Sequence, residues 1–97
     1  MNTDDLGEQL AVELRAGGLS VEQQKGMAVR YREEIVGEYL ADLVVNDRLI
    51  VELKVARTLE PVHDAQCINY LRASGHRLCL LMNFSRPRLF VRRIING

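Results

Sequence analysis

The spacing of apolar residues divides the 97-residue chain into two helical and five strand-like stretches. Leu6, Leu10 and Leu14 recur every four residues within residues 4–16, which is the period of a helix that buries one face. Gly17-Gly18 follows and supplies the permissive backbone at which helices commonly end. The sequence therefore predicts a first helix over residues 4–16.

Strand patterns occupy the middle of the chain. Residues 27–31 alternate apolar and polar, and residues 35–45 form a long run rich in β-branched side chains, so each predicts a strand. Asn46 and Asp47 are typical turn residues, and a third strand is predicted over residues 48–55.

A second helix and two further strands complete the pattern. Thr58 can cap a helix that has Pro61 in its first turn and continues to about residue 73, before Ser74-Gly75. Residues 77–84 are almost continuously apolar, which is typical of an interior strand, and residues 89–95 form the last one. The order αβββαββ predicts an α+β (mixed α/β) fold in one domain over residues 1–97, with a central mixed sheet flanked by helices.

Three charged residues, Asp42, Glu52 and Lys54, interrupt the two apolar strands around the Asn46-Asp47 turn. Side chains alternate along a strand, so Glu52 and Lys54 share one face. A two-residue turn pairs Asp42 with Val51 and places it on the opposite face, whereas a three-residue turn over residues 46–48 pairs it with Glu52. The three-residue register makes the other face wholly apolar, comprising Ala41, Leu43, Val45, Leu49, Val51 and Leu53. We therefore predict this register, with a bulge or a left-handed residue at the tip.

Two carboxylates that face each other repel, so either one carries a proton or a cation lies between them. Mg²⁺, or the similar Mn²⁺, would accept Asp42 and Glu52 as ligands together with a backbone carbonyl, for which Leu53 is the candidate, and water. Lys54 could then hold or deprotonate an attacking water or stabilise charge on a phosphate oxygen. The alternative is an ordinary surface ion cluster, worth about 0–1 kcal/mol per pair.

Gln66 and Tyr70 lie four residues apart on the second predicted helix and therefore on the same face. Taken alone, the pair is typical of the boundary between core and surface, with Tyr70 half buried. Because the pair follows the D…E-x-K hairpin, the competing interpretation is that Gln66 and Tyr70 lie beside the charged residues.

The order of these motifs resembles the PD-(D/E)XK nuclease superfamily, and in particular its small bacterial GxxExxY proteins. The segments that carry the resemblance are YLADL at 39–43, VELK at 51–54, PVHDAQ at 61–66, NYL at 69–71 and LLMNF at 80–84. The resemblance implies a restriction-endonuclease-like core that acts on nucleic acid. It further implies that Asp42 and Glu52 bind metal, that Lys54 is catalytic, and that Gln66 and Tyr70 support the site or contact the phosphate.

The first helix departs from the GxxExxY pattern. Leu6 stands where the family has its tyrosine, and the glutamate would fall near Thr3, so the resemblance implies a member shortened at its N-terminus. Glu8 is then the best candidate for the acidic residue of the first helix. A short helix would also leave part of the sheet uncovered, and a homodimer could compensate.

Charge is unevenly distributed along the chain. Residues 1–64 contain 13 acidic and 7 basic residues, whereas residues 65–97 contain no acid and six arginines: Arg72, Arg77, Arg86, Arg88, Arg92 and Arg93. This basic third suits a nucleic-acid partner, DNA more than RNA, but mutual neutralisation within the fold explains the balance equally well. The arginines of the last strand could also serve to deter edge-to-edge aggregation.

The remaining composition points to an intracellular protein. Cys67 and Cys79 form no C-x-x-C pair and are expected to be reduced core residues, and no apolar run approaches the length of a membrane span. We therefore expect a cytoplasmic protein without a membrane partner. Two functions remain open: a Mg²⁺- or Mn²⁺-dependent nuclease, or a catalytically inactive binding or assembly module that keeps the nuclease fold.

Overall fold

The computed structural model describes residues 2–85 and 88–96, which form two helices and one five-stranded sheet. The elements in chain order are α1 (Thr3–Ala16), β1 (Val21–Tyr31), β2 (Glu34–Val45), β3 (Leu49–Lys54), α2 (Pro61–Ser74), β4 (Leu78–Asn83) and β5 (Phe90–Ile95). The predicted order αβββαββ is therefore confirmed. No helix within these residues is long and apolar enough to cross a membrane.

The strands lie in the sheet in chain order, and only β3 and β4 are parallel; the other neighbours are antiparallel. Helix α2 makes the crossover between the parallel pair, because parallel strands cannot be joined by a tight turn. β4 is an interior strand, as its apolar sequence predicts. The sheet is mixed, and α1 and α2 pack against separate clusters of its side chains.

Two apolar clusters hold the layers together. Leu43, Val51 and Leu53 pack with Ala11 of α1, while Cys67 and Leu71 of α2 pack over the second cluster. The side chains of β3 divide between the clusters by strand alternation, which leaves Glu52 and Lys54 on the α2 side. Cys67 and Cys79 are buried free thiols, as expected.

Two boundaries differ from the sequence prediction by more than one residue. β1 begins at Val21 rather than residue 27. The added residues are mostly polar and exposed, so the sequence shows no apolar pattern there, and pairing with β2 makes them part of the strand. The N-cap of α2 is Glu60 and not Thr58. Pro61 takes the first helical position, and the Glu60 N–H donates to Nδ1 of His63 at 2.9 Å.

Candidate active site

The hairpin between β2 and β3 has the predicted three-residue connection. Val44 pairs with Ile50, which sets Asp42 opposite Glu52 in the same register. Asn46 and Asp47 both adopt left-handed backbone angles, with φ of 52° and 54°. The predicted left-handed tip is therefore confirmed, and it brings the two carboxylates to the same place.

The regular backbone ladder gives way to side-chain hydrogen bonds at Asp42. Its N–H donates to Oε1 of Glu52 at 3.2 Å, and its own Oδ2 accepts from the Leu53 N–H at 2.8 Å. On the β1 side, Gln24 has φ of 50° and its Nε2 donates to Oδ1 of Asp42 at 3.4 Å. The two carboxyl groups are thereby tied to each other's strands.

This interruption corrects one part of the predicted face assignment. Ala41 was expected beside Leu43 but is buried with Val44 in the α2 cluster. The alternation of side chains is broken between Ala41 and Leu43, where no regular pair joins Asp42 to Gln24. The strand thus changes phase at the residue that carries the carboxylate.

Glu52 is a buried acid, with 2% of its surface exposed. Burial and then the negative charge of Asp42 raise the pKa of Glu52 from 4.5 to about 9. The Asp42 N–H and the nearby Lys54 ammonium oppose this shift but do not cancel it. Without a cation, Glu52 therefore carries a proton at neutral pH, which is one of the two states expected from the sequence.

The carboxyl oxygens suit a hard cation. Oδ1 of Asp42 receives only the long bond from Gln24, and Oε2 of Glu52 accepts no side-chain or backbone bond from the described residues. No group of three His, Cys, Asp or Glu side chains in residues 2–85 and 88–96 is arranged to hold a metal. Two carboxylates with backbone and water ligands match what Mg²⁺ commonly accepts.

Lys54 begins a chain of polar contacts that runs to α2. Its Nζ donates to Oε1 of Gln66 at 3.0 Å, and Nε2 of Gln66 donates to the hydroxyl of Tyr70, also at 3.0 Å. Tyr70 is buried and meets Tyr39 edge to face, with ring centroids 5.0 Å apart. Burial, followed by the charges of Glu52 and Asp42, raises the pKa of Tyr70, so its hydroxyl stays neutral. Tyr70 is therefore buried rather than half buried, and Gln66 bonds Lys54, so the two residues are not a simple boundary pair.

Glu8 lies on the rim of the Asp42 region rather than inside it. Together with Asp4 and Gln24 it lines an open cavity of about 320 Å³ that also includes Asp42. Glu8 is exposed, and so is Asp4 one helical turn earlier. Helix α1 thus places two acidic residues, Asp4 and Glu8, at the cavity that includes Asp42. The sequence pattern singled out only Glu8.

Leu53 and Asn83 fix the backbone around the charged residues. The Leu53 side chain is buried in the α1 cluster, so only its backbone is available to the site. Asn83, which sequence reasoning did not single out, is buried and pairs with Lys54 in the β3–β4 ladder. Its amide bonds both the N–H and the carbonyl of Ala56, at 2.9 and 2.8 Å. A single polar side chain ending an apolar strand was the available signal.

One arginine of the basic final third has an acidic partner. Nη1 of Arg92 contacts both oxygens of Asp64 at 2.8 and 2.6 Å and ties β5 to α2. Arg88 and Arg93 are exposed, and Arg86 lies outside the described residues. Arg92 therefore has a structural partner, which supports the neutralisation interpretation at this position.

Comparison with known proteins agrees with the fold. A family model of the PD-(D/E)XK nuclease superfamily matches residues 7–94. No curated protein matches the sequence at a significant level. The chain belongs to the PD-(D/E)XK nuclease superfamily.

Solved structures share this fold at low sequence identity. The protein SSO0001 superimposes with a TM-score of 0.71 and 17% identity, over 97% of this chain and 50% of its own. The alkaline exonuclease LHK-Exo from Laribacter hongkongensis superimposes with a TM-score of 0.68 and 16% identity, over 91% of this chain and 53% of the enzyme. The complex of LHK-Exo with dAMP superimposes with a TM-score of 0.64 and 17% identity, over 100% of this chain and 60% of the enzyme. The chain thus spans about half the length of these proteins.

Proposed function

We propose that the protein is a divalent-metal-dependent nuclease that hydrolyses phosphodiester bonds of nucleic acid, DNA in preference to RNA. The observation that carries this proposal is the Asp42–Glu52 pair with Lys54 two residues further along the same strand face. Membership of the nuclease superfamily and the likeness to an alkaline exonuclease fold support it.

The proposed metal ligands are Asp42 and Glu52, with the Leu53 carbonyl as a backbone ligand. Mg²⁺ or Mn²⁺ would polarise the scissile phosphate and lower the pKa of a bound water molecule. The protein's own contribution is to hold the two carboxylates against their repulsion, through the hydrogen bonds from the Asp42 and Leu53 N–H groups. Glu8 is proposed as an acidic residue at the substrate entrance.

Lys54 is proposed to orient the attacking water or to neutralise charge that develops on the phosphate oxygens. Gln66 is a positioning residue in this scheme, because its amide oxygen holds the ammonium group and its nitrogen is anchored on Tyr70. The buried Tyr70 hydroxyl keeps Gln66 from rotating. The site thus presents a fixed positive charge beside two fixed carboxylates.

The test is cleavage of plasmid DNA, single-stranded DNA and RNA by the unaltered protein in Mn²⁺ or Mg²⁺, compared with EDTA. We expect cleavage that requires the metal, with DNA cut faster than RNA. No cleavage of any substrate above the EDTA background would reject the nuclease proposal in favour of an inactive binding or assembly module. Faster cleavage of RNA would reject the DNA preference alone.

Divalent ions are also expected to stabilise the fold through the same carboxylates. A tenfold excess of Mn²⁺ over its dissociation constant should add about 1.4 kcal/mol, because binding favours the folded state. For a domain of this size the melting temperature should rise by about 5–10 °C. Asp42→Asn should abolish the rise, whereas Asp47→Asn, at the opposite end of the hairpin, should retain it. An equal rise in both variants would place the metal elsewhere.

Finer assignments rest on the same residues. We propose that the chain is a GxxExxY-type member and that residues 1–97 form a single domain. The free buried thiols of Cys67 and Cys79 support a reducing, cytoplasmic location. Oxidised thiols in freshly isolated protein would argue against that location.

We further propose that the protein is a homodimer. Helix α1 packs on β1, β2 and β3, whereas Val91 and Ile95 of β5 remain exposed. A second copy could cover these apolar side chains, which would lower the free energy of the pair. Sedimentation should give twice the chain mass of 11.0 kDa; a monomer at micromolar concentration would contradict this.

A further inference from the structure

We infer that a cleft between β1 and α2 binds single-stranded nucleic acid next to the proposed active site. The arginine cleft, as we term it, has a volume of about 420 Å³ and is lined by Ala28, Arg30, Tyr31, Asn69, Arg72 and Ala73. It rests on the proposed function in that it would guide a strand toward Asp42 and Glu52. Its residues are distinct from those assigned to catalysis.

Two positive charges from separate elements converge on this cleft. Arg30 comes from β1 and Arg72 from the last turn of α2, and both are exposed. No acidic residue lines the cleft, and neither arginine takes part in a salt bridge among the described residues. Like charges that face a common cavity without a partner repel each other, and an anion between them would relieve this repulsion.

Tyr31 supplies a surface for a base. It is the last residue of β1, 63% of its surface is exposed, and the Arg32 guanidinium lies 5.5 Å from its ring centroid. Exposed aromatic rings beside basic side chains bind single strands, because unpaired bases stack on the ring while the cations contact phosphates. Bases in a duplex are already stacked on each other, so this arrangement favours a single strand over a duplex.

The cleft lies close to the proposed catalytic residues. Asn69 and Ala73 flank Tyr70, which ends the polar chain from Lys54 through Gln66. From Gln66 to Ala73 the helix rises by about 10 Å, at about 1.5 Å per residue. A strand bound along α2 would therefore pass from the cleft to the carboxylates within a few nucleotides.

The test is binding of a fluorescein-labelled 20-nucleotide oligothymidylate, measured by anisotropy in EDTA at several salt concentrations. Replacing both Arg30 and Arg72 with glutamine should reduce the slope of log affinity against log salt by about 1.4, since each phosphate contact on a single strand contributes about 0.7. Arg48→Gln, a matched exposed arginine at the far end of the sheet, should leave the slope unchanged. An unchanged slope in the double variant would overturn the inference.

The tyrosine gives an independent readout. Tyr31→Ala should weaken binding about 5-fold or more without altering the salt slope, because stacking involves no counterion release. Tyr31→Phe should bind as the unaltered protein does. Equal or tighter binding of a 20-base-pair duplex would overturn the single-strand assignment, and so would a Tyr31→Ala variant of unchanged affinity.

The two proposals fail separately. If the unaltered protein cleaves DNA but the cleft variants bind like Arg48→Gln, the cleft assignment is wrong and the nuclease proposal stands. If the cleft variants lose binding but no metal-dependent cleavage occurs, the cleft assignment stands and the nuclease proposal is wrong.

Discussion

Lys54→Ala is expected to slow manganese-dependent DNA cleavage by about 100-fold or more. Removing one group that stabilises transition-state charge or transfers a proton commonly costs about this much. The methyl group of alanine can neither replace the ammonium nor hold the amide of Gln66. The rate would be measured under single-turnover conditions, so that product release does not mask the chemical step.

The chain offers one matched control, because Lys25 is its only other lysine. Lys25 lies on β1, and its ammonium pairs with Glu22 and Asp47 rather than with Asp42 or Glu52. Lys25→Ala should keep the unaltered rate, and Lys54→Ala should still gain stability from Mn²⁺, since both carboxylates remain. A Lys54→Ala variant that cuts at the normal rate would remove this lysine from the mechanism.

Gln66 provides a further distinction within the same experiment. Gln66→Leu should reduce the rate less than Lys54→Ala, because the Lys54 ammonium is retained and only its hydrogen bond to the Gln66 amide is lost. Tyr70→Phe removes the hydroxyl that anchors Gln66 and should have a similar, smaller effect. A loss in either variant equal to that of Lys54→Ala would indicate direct contact with the substrate.

The sequence could predict the hairpin register because only one pairing sorts the side chains by polarity. The apolar set from Leu43 to Leu53 required a three-residue turn, and the structure has it. The same alternation failed at Ala41, because it assumes an uninterrupted ladder. The left-handed Gln24 and the side-chain bonds of Asp42 break that ladder, and no local pattern in β2 signals this.

Contacts between distant residues were also beyond the sequence. Asn83 binds the backbone of Ala56, 27 residues earlier, and Arg92 pairs with Asp64. These partners are chosen by the β3–β4 crossover and by the packing of α2 on β5, which depend on tertiary structure. The charge count of the final third could therefore not distinguish Arg92, which is paired, from Arg72, which faces a cleft.

Glu52→Gln is expected to make the metal-free protein more stable at pH 8, by up to about 5 kcal/mol. The folded protein must bury a carboxyl whose pKa is raised to about 9, first by burial and then by Asp42. Each pKa unit corresponds to about 1.4 kcal/mol, and at pH 8 the unfolded chain is stabilised by releasing a proton that Glu52 keeps in the folded protein. Glutamine resembles the protonated acid, and its amide oxygen can still accept the hydrogen bond from the Asp42 N–H.

The pH dependence has a definite sign. Between its ordinary pKa of 4.5 and about 9, Glu52 binds a proton in the folded state that the unfolded chain releases. The stability of the unaltered, metal-free protein should therefore fall as pH rises through this range, while the fall should be smaller in Glu52→Gln. Denaturant unfolding in EDTA at pH 5 and pH 8 measures both, with the exposed Glu13→Gln as control. Excess Mn²⁺ should narrow the difference at pH 8, because only the unaltered site offers both carboxylates. A Glu52→Gln variant less stable than the unaltered protein at both pH values would mean that Glu52 is buried as a stabilising charge.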